Sequence, residues 1–317
     1  MGYRAMSAQN AIDQFNELFE KYTETPLFFA VDNILAKEYF DTVIPYIKVP
    51  ENSNVFYETK LLTNEEHMKA LANAGITKIQ PGIEALSTSV LKIMRKGTTA
   101  FQNVTFLKAT LKYKLLPDWN LLIGFPKESE DVYKKYLEDI PSLVHLPAPG
   151  ATFPVRFDRY SPHHNKPEEF GLDLKPLDFY GLIYPFSESE LEDFAYFFAD
   201  HNYDNRYMLH LARWRKKLEA LIEYWIKRWH QTDGKEKPVL TLLNEDTIYD
   251  SRSGETLTYR LTRVAIDILK TLDHPMGIST LKHKLNLDET QLKNEIAVLK
   301  KYSLLFQEGE SMLSLVC

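Results

Sequence analysis

Polar side chains that could take part in acid–base chemistry or ligand binding follow several short apolar runs of this sequence. These residues are Asp32, Asn33, Glu58, Lys60, Glu84, Asn120, Arg156, Asp158 and Arg159. If the runs are parallel strands, these groups gather at the carboxyl edge of one sheet, where α/β proteins place their reactive residues. Charges crowded at such an edge are costly unless they are paired or used. The pattern indicates a functional site, although Glu58 with Lys60 and Arg156 with Asp158 are also spaced to pair along one strand face.

Two glycines interrupt apolar runs in the same region. Gly82 lies in QPGIE at residues 80–84, and Gly124 lies in LIGFP at residues 122–126. A glycine weakens a strand unless another group approaches the backbone closely. Neither segment has the glycine spacing of a dinucleotide-binding turn or of a phosphate loop. The glycines therefore favour close contact with a ligand but do not by themselves identify it.

Metal and nucleophile chemistry find little support. The chain has one cysteine, Cys317, which excludes internal disulfides, a thiolate-only zinc site and an iron–sulfur cluster ligated by this chain alone. His163 and His164 are followed by two glutamates, but adjacent histidines on a strand point to opposite faces. Ser161 lacks the setting of a nucleophile elbow. No metal site is predicted.

Composition excludes several classes of partner. The chain has 317 residues, and 38 Lys and Arg against 44 Asp and Glu leave a net charge of −6. This balance provides no basic field for nucleic acid or for anionic lipid. No apolar run approaches the roughly 20 residues of a membrane span, and no signal peptide is evident. We expect a cytoplasmic protein without a nucleic-acid or membrane partner.

The elements that position these residues alternate in the first half of the chain. Apolar runs at 27–35, 54–62, 76–84, 118–125 and 151–159 predict strands, with helical spacing between them. Strands separated by helices imply right-handed crossovers and a parallel sheet. Both an open doubly wound sheet and a barrel fit this alternation.

The second half is predicted to be organised differently. We divide the chain into a partial barrel (1–165), a helical extension (166–231), a polar linker (232–237) and a small α+β domain (238–317). Residues 187–231 are predicted to be helical, with an apolar stripe between Met208 and Trp229 that is typical of packing. Three short strands, three helices and closing strands then make the last domain winged-helix-like.

Three segments resemble those of a known family in their amino-acid sequence and in their order along the chain. QPGIEALS at 80–87, MRKGT at 94–98 and NLLIGFP at 120–126 closely resemble cobalamin-binding radical SAM enzymes. The likeness is greatest to the proteins that mature ribosomally made peptides, several of which are C-methyltransferases. VDNIL at 31–35 and RFDRYSP at 156–162 support it, and the resemblance covers about residues 1–230.

The resemblance implies a fold and a set of roles. The fold is most of a (βα)6 barrel that lacks its first strand. Glu84 and Gly82 would lie near the nucleoside of S-adenosylmethionine, and Asn120, Gly124 and Phe125 would flank its adenine. Asp32 and Asn33 would point toward the methionine end or the substrate. Glu58 joins the cofactor-binding set, whereas Arg156, Asp158 and Arg159 are candidate substrate contacts.

The sequence departs from the family in one large respect. The family binds a [4Fe–4S] cluster through a CxxxCxxC loop and carries a cobalamin domain, and neither is present. We therefore expect weak binding of S-adenosylmethionine and no radical chemistry from this chain alone. We expect it to be the C-terminal portion of such an enzyme, explained by truncation, by a split gene or by a degenerate paralogue.

Partners and alternatives follow from the same departure. We expect a peptide substrate or leader peptide, and either a missing N-terminal segment or self-association at the exposed edge of the 27–35 strand. The C-terminal domain either captures a leader peptide as an added strand or serves packing alone, since its charges cancel and disfavour DNA. The alternatives are a non-catalytic peptide- or nucleotide-binding protein and an ordinary barrel enzyme with Glu58 or Glu84 as general base.

Overall fold

The structure is a computed structural model that describes residues 4–31 and 34–317. Its helices are α1 (Ala8–Lys21), α2 (Tyr39–Thr42), α3 (Glu65–Ala74), α4 (Thr88–Ile93), α5 (Ala100–Tyr113), α6 (Glu130–Leu143), α7 (Pro162–Asn165), α8 (Pro167–Phe170), α9 (Phe179–Ile183), α10 (Glu188–Phe194), α11 (Arg206–Trp229), α12 (Arg263–Thr271), α13 (Ile278–Leu285) and α14 (Glu289–Lys301), with a 3₁₀ helix at Ile44–Tyr46. Its strands are β1 (Phe28–Phe29), β2 (Val55–Glu58), β3 (Lys78–Gln80), β4 (Leu116–Pro117), β5 (Leu121–Ile123), β6 (Thr152–Pro154), β7 (Phe157–Asp158), β8 (Leu174–Pro176), β9 (Phe197–Asp200), β10 (Leu240–Leu242), β11 (Thr247–Asp250), β12 (Leu257–Arg260), β13 (Met276–Gly277), β14 (Leu305–Glu308) and β15 (Ser311–Ser314).

The first half forms the parallel α/β layer that the alternation predicts. Strands β1, β2, β3 and β4 pair in that order, and β5 pairs with β6, all in parallel. The Leu122 N–H donates to the Glu84 carbonyl at 2.8 Å, which connects the two groups of strands. The predicted strands are too long, because 118–125 contributes only β5 and 151–159 divides into β6 and β7.

One face of this sheet is buried and the other is open. Val55, Tyr57 and Ile79 lie under the helices and are at most 1% exposed. Glu58 and Gln80 lie on the opposite face and are exposed. Because side chains alternate along a strand, the open face carries the polar residues that follow the apolar runs.

Residues 166–231 are not the wholly helical extension that the sequence predicts. Strands β8 and β9 lie within it and pair with β7 in the antiparallel order β7-β9-β8. Burial alternates along β9, which is the period of a strand rather than of a helix. This small sheet has its own apolar cluster, which contains Phe157, Tyr180, Leu191, Ala195, Phe198 and Tyr207.

Helix α11 follows the prediction and packs on the parallel α/β layer. Leu218, Ile222 and Trp225 are at most 2% exposed. The Trp225 indole N–H donates to the Leu146 carbonyl at 2.9 Å. Within the described part of the chain, no helix has the length and apolar character needed to cross a bilayer.

The C-terminal region contains two antiparallel sheets around three helices. Strands β10, β11 and β12 pair in sequence order and precede α12 to α14, and the β14–β15 hairpin then pairs with β13. Its buried side chains belong to the same apolar core as those of the parallel α/β layer. Packing is therefore continuous across the predicted linker at 232–237.

Buried polar groups reinforce this junction. Arg252 is 6% exposed and pairs with Asp250 through Nη2 at 2.7 Å. Its Nη1 donates to the carbonyls of Ser142 at 2.9 Å and Ser303 at 2.7 Å. His145 bonds through Nε2 to the Leu315 carbonyl at 2.8 Å, and burial lowers the pKa of His145 to about 3.

Candidate functional site

The carboxyl edge of the parallel sheet brings together part of the predicted site. Glu58 and Gln80 are register partners at the ends of β2 and β3. Gly82 and Glu84 follow β3, whereas Gly124 and Phe125 follow β5. Asp32 and Asn33 lie outside the described residues, so their predicted role stays a prediction.

The turn after β3 has an unusual backbone. Gly82 has φ +62° and Glu84 has φ +60°. The left-handed region is uncommon for a residue with a side chain and persists only where the surroundings enforce it. The Glu84 carbonyl accepts the Leu122 N–H, which ties the turn to the neighbouring strand.

A buried amide holds this turn from behind the sheet. Asn103, on α5, has no exposed surface, and its Nδ2 donates to the carbonyls of Ile83 at 3.0 Å and Ala85 at 2.7 Å. The two carbonyls flank Glu84, so one side chain fixes both ends of the strained residue. Sequence reasoning missed Asn103; the available signal was an amide on an otherwise apolar helix face.

The Glu84 carboxylate lies at the rim beside a lysine. Lys96 Nζ is 3.1 Å from Glu84 Oε1, and the two side chains are 34% and 25% exposed. A Cβ added at Gly82 would lie 3.1 Å from the same ammonium nitrogen. The positive φ of residue 82 favours glycine, and a side chain there would also displace the end of Lys96 by a few tenths of an ångström.

The turn after β5 is held by a buried carboxylate. Gly124 has φ +77°. Glu128 Oε2 accepts the N–H groups of Gly124 at 2.6 Å and Phe125 at 3.0 Å, together with the Tyr133 hydroxyl at 2.9 Å. Glu128 is 2% exposed, and its burial raises its pKa to about 7 although these hydrogen bonds act in the opposite direction.

The structure gives Gly124 a reason other than ligand contact. A Cβ at this position would lie 2.9 Å from Leu211 Cδ2 on α11. Phe125 is only 4% exposed, and Asn120 is half-buried. The close approach predicted for Gly124 is therefore made by Leu211, and the predicted adenine contacts of Asn120 and Phe125 stay predictions.

The three candidate substrate residues bond within the protein. Arg156 Nε and Nη2 donate to the two Asp158 oxygens at 2.6 and 3.0 Å, the pairing left open by the spacing. Arg159 donates to the carbonyls of Ala195, at 2.6 Å, and Glu192. These carbonyls lie at the end of α10, so Arg159 satisfies groups that the helix end leaves unbonded.

The chain does not provide an iron–sulfur site. A [4Fe–4S] cluster needs several thiolates, and the sequence contains only Cys317. That residue belongs to the C-terminal region, where its N–H donates to the Leu240 carbonyl at 3.0 Å. In the described ranges 4–31 and 34–317, no group of three or more His, Cys, Asp or Glu is arranged to hold a metal ion.

The two turns differ in what they could offer a nucleoside. The Glu84 carboxylate is held at the rim and partly exposed, which suits hydrogen bonds from ribose hydroxyls. The Gly124 and Phe125 N–H groups are already bonded to Glu128. The first turn therefore offers a carboxylate that could accept from ribose hydroxyls, whereas the second turn offers no free backbone donor at Gly124 and Phe125.

Comparison with known proteins supports the resemblance for part of the chain. Residues 1–140 match the family model of the radical SAM superfamily. No curated protein matches.

Three solved structures match parts of this chain at low identity and low TM-score. Archaeal Elp3 from Methanocaldococcus infernus shares 13% identity with a TM-score of 0.36, over 51% of this chain and 45% of Elp3. The radical SAM methyltransferase TsrM from Kitasatospora setae shares 14% with a TM-score of 0.34, over 54% of this chain and 30% of TsrM. The cobalamin-dependent radical enzyme OxsB shares 14% with a TM-score of 0.39, over 95% of this chain and 42% of OxsB. The chain thus spans less than half the length of each.

Proposed function

We propose that this chain is part of a cobalamin-dependent radical SAM enzyme that modifies a ribosomally made peptide, by C-methylation. The family match over residues 1–140 and the ordered segments at 80–87, 94–98 and 120–126 support this function. The observation that carries it is the Glu84 turn. A strained, carboxylate-bearing turn fixed by a buried amide at the carboxyl edge of a parallel sheet is typical of a ligand-binding site.

The proposed roles follow the position of each side chain. Glu84 binds the ribose hydroxyls of S-adenosylmethionine, and Gly82 keeps the space beside Lys96 open. Glu58 adds a carboxylate on the open face, and Asp32 and Asn33 bind the methionine end. When it is bound, S-adenosylmethionine supplies the radical and the methyl group. Asn120 and Phe125 border the adenine, and Arg156, Asp158 and Arg159 shape the substrate side of the rim.

We further propose that the cluster and the cobalamin come from outside this chain, because its single cysteine cannot ligate a cluster. In the family the cluster holds the amino and carboxylate groups of S-adenosylmethionine. Binding by this chain alone is therefore weak, and the chain alone is inactive in radical chemistry.

The winged-helix-like C-terminal domain is proposed to bind the leader peptide at β12. This strand pairs only with β11 in the described sheet, and the Leu261 N–H donates toward β11, to Asp246, at 2.8 Å. Antiparallel strands alternate their bonding direction, so the backbone groups of Thr258 and Arg260 face the open edge. The opposite edge is occupied at Leu240 by the Cys317 N–H. A peptide would add to β12 as a fourth strand.

The test is anaerobic reconstitution of the full chain with a separately expressed, cluster-bearing radical SAM segment that includes the cobalamin domain. We expect cleavage of S-adenosylmethionine only in the mixture. Glu84→Gln should weaken cofactor binding in the mixture at least tenfold, whereas the exposed Glu66→Gln should not change it. Cleavage by the chain alone, or equal binding by both variants, would contradict the proposal.

A second candidate is a non-catalytic nucleotide- or peptide-binding protein. The lack of cluster ligands in the chain favours it. Micromolar or tighter binding of S-adenosylmethionine by the isolated chain, measured by calorimetry, together with no cleavage in the mixture would support this candidate instead.

A further inference from the structure

Glu128 collects three hydrogen-bond donors on one carboxylate oxygen. The donors are the N–H groups of Gly124 and Phe125 and the hydroxyl of Tyr133, at 2.6, 3.0 and 2.9 Å from Oε2. The two N–H groups belong to the turn after β5, whereas Tyr133 lies on α6. Convergence of three donors favours a negative charge on that oxygen, because each bond is stronger to a carboxylate than to a neutral acid.

The second oxygen of Glu128 is bonded differently. Oε1 is buried and has no hydrogen-bond partner among the described residues. A proton on Glu128 would therefore reside on Oε1 without an acceptor, while Oε2 would become a weaker acceptor for the turn. The side chain thus has two states that hold Gly124 and Phe125 with different strength.

No charged side chain in the described residues forms an ion pair with Glu128. The Glu128 carboxylate faces the hydroxyls of Tyr133 and Tyr136 on α6. Burial and the charge of Glu128 both raise the pKa values of these two tyrosines. From α11, His210 Nδ1 lies 3.2 Å from the Glu128 carbonyl rather than from its carboxylate. The neighbouring Lys127 ammonium lies over the Phe170 ring, 5.2 Å from its centroid.

Glu130, the acidic residue nearest along α6, is engaged elsewhere. Its Oε1 is 2.8 Å from Arg213 Nη1 and accepts the Trp214 indole N–H at 2.9 Å. The charge of Glu128 is therefore balanced only by dipoles, and its pKa is raised to about 7.

We propose that Glu128 is the positioning residue of the Gly124–Phe125 turn and that a single proton on its carboxylate switches the turn between a tight and a loose hold. The ionised form fixes the turn against α6, and the neutral form holds it more loosely, with the Gly124 N–H still able to donate to the Tyr133 hydroxyl oxygen at 3.1 Å. The consequence for nucleoside binding rests on the proposed function, but the behaviour of the turn does not.

Amide chemical shifts test the switch directly in the full chain. We expect the N–H signals of Gly124 and Phe125 to move together between pH 5.5 and 8.5, downfield on ionisation, with a midpoint near 7. Glu128→Gln should abolish this titration, whereas the control Glu66→Gln should leave it unchanged. Amides that do not titrate, or that titrate equally in Glu128→Gln, would overturn the proposal.

Two further measurements test the proposal even if the Glu128→Gln variant fails to fold. In wild type, the ¹³Cδ signal of Glu128 should share the amide midpoint. Tyr133→Phe removes one donor to the charged form and should raise that midpoint. A ¹³Cδ signal that titrates near its ordinary value, or a midpoint lowered by Tyr133→Phe, would show that Glu128 does not act in this way.

The reconstituted mixture separates this proposal from the proposed function. About one tenth of Glu128 is ionised one pH unit below its midpoint, so affinity for S-adenosylmethionine should fall up to about tenfold between pH 8 and 6 in wild type. In Glu128→Gln the affinity should vary less with pH. If the amides titrate while the affinity does not follow, the switch stands and the assignment of this turn to the nucleoside fails.

Discussion

Asn103, on α5, and Glu128, just before α6, hold the two turns of the candidate site through buried hydrogen bonds. Each side chain is at most 2% exposed, and each keeps one oxygen, Oδ1 or Oε1, without a partner in the described parts of the chain. An unpaired buried polar atom costs stability. The fold tolerates that cost at both turns, which is expected where backbone geometry matters more than packing.

We predict that Asn103→Leu destabilises the protein by about 1–3 kcal/mol, because the carbonyls of Ile83 and Ala85 lose their donor in a buried place. It should also weaken cofactor binding in the reconstituted mixture, since the Glu84 turn is released. Urea unfolding gives the first quantity. Asn294→Leu, at an exposed position on α14, is the matched control, and equal losses in the two variants would count against the role of Asn103.

The raised pKa of Glu128 also predicts a pH dependence of stability. The folded state keeps a proton between pH 4.5 and about 7 that the unfolded state has lost, so stability falls as pH rises through this window. Relative to Glu128→Gln, wild type should lose roughly 3 kcal/mol between pH 4 and 8, as an upper figure.

Chemical denaturation of both proteins across that range measures this difference. His145 contributes the opposite slope, because its pKa is lowered to about 3 and its stabilisation disappears as pH falls below 6.5. That contribution is the same in both proteins and cancels in the comparison. A difference that stays constant with pH would refute the prediction.

At this scale the sequence identifies strand ends better than the groups that support them. The segments at 80–84 and 122–126 place Gly82, Glu84 and Gly124 at the rim, as the structure does. The supporting side chains of Asn103 and Glu128 cannot be predicted from the sequence, because their burial depends on which helix packs behind which strand. Gly124 shows the same limit, since its neighbour Leu211 is distant along the chain.

Among the elements, β1 leaves an open edge. The N–H groups of Phe28 and Ala30 donate to Asn54 and Phe56 on the β2 side, at 2.8 and 3.0 Å. The backbone of Phe29 between them faces away from β2 and has no backbone partner in the described residues. The Phe29 side chain is 63% exposed, and that of Val31 is 93% exposed.

Helix α1 covers one face of this strand but not its edge. The Phe19 ring packs edge-on against the Phe28 ring, with 5.1 Å between centroids. Phe29 lies on the other face, where its neighbour is Phe56 at 5.2 Å. An apolar, unblunted edge is a template for another strand.

We therefore predict that the chain self-associates through β1 or accepts a strand from a partner. Light scattering over a concentration series should show association of wild type, and Phe29→Lys should weaken it. Tyr46→Lys changes a residue of similar exposure away from the edge and should have no effect. A wild type that stays monomeric and stable at all concentrations would show that the edge needs no partner.

The sequence predicts well those elements whose hydrophobic residues recur with a clear helical or strand period. The stripe of α11 and the alternation of strands and helices up to β6 have no equally good alternative reading. For β9 a helix is an equally good prediction, because its four residues are flanked by helical patterns and Phe197 and Phe198 also suit a helix. Only pairing with β7 and β8, which are separated from it along the chain, makes it a strand.

Over the whole molecule, the C-terminal region is packed against the back of the candidate site. Glu308, at the end of β14, accepts the Thr88 N–H at 2.9 Å and also bonds the Thr88 hydroxyl, at the start of α4. Helix α4 follows the Glu84 turn after only a few residues. The sheet in contact with α4 is thus the β13–β15 sheet, whereas the proposed peptide site at β12 lies on the separate β10–β12 sheet.

The order of elements in this region could be predicted from the sequence, but this packing could not. The polar segment 232–237 is typical of a linker between independent domains. Yet Arg252 donates to carbonyls from both sides, those of Ser142 on α6 and of Ser303 after α14. Nothing in the local sequence of Arg252 distinguishes it from an exposed arginine.

The two Arg–Asp pairs of the β10–β12 sheet offer a final prediction about this junction. Arg252→Ala should destabilise the chain by about 3–5 kcal/mol, because the buried Asp250 carboxylate loses its cationic partner and the carbonyls of Ser142, Ser303 and Tyr302 lose the guanidinium donor. Arg260 is 84% exposed in its pair with Asp246 at 2.6 Å, so Arg260→Ala should change stability little.

Urea unfolding followed by tryptophan fluorescence and by circular dichroism measures both variants. Wild type should unfold in one transition by both probes, and Arg252→Ala should give two transitions, one for the parallel α/β layer and one for the C-terminal region. If the two variants cost the same, or if Arg252→Ala keeps one transition at the wild-type midpoint, Arg252 does not couple the two halves.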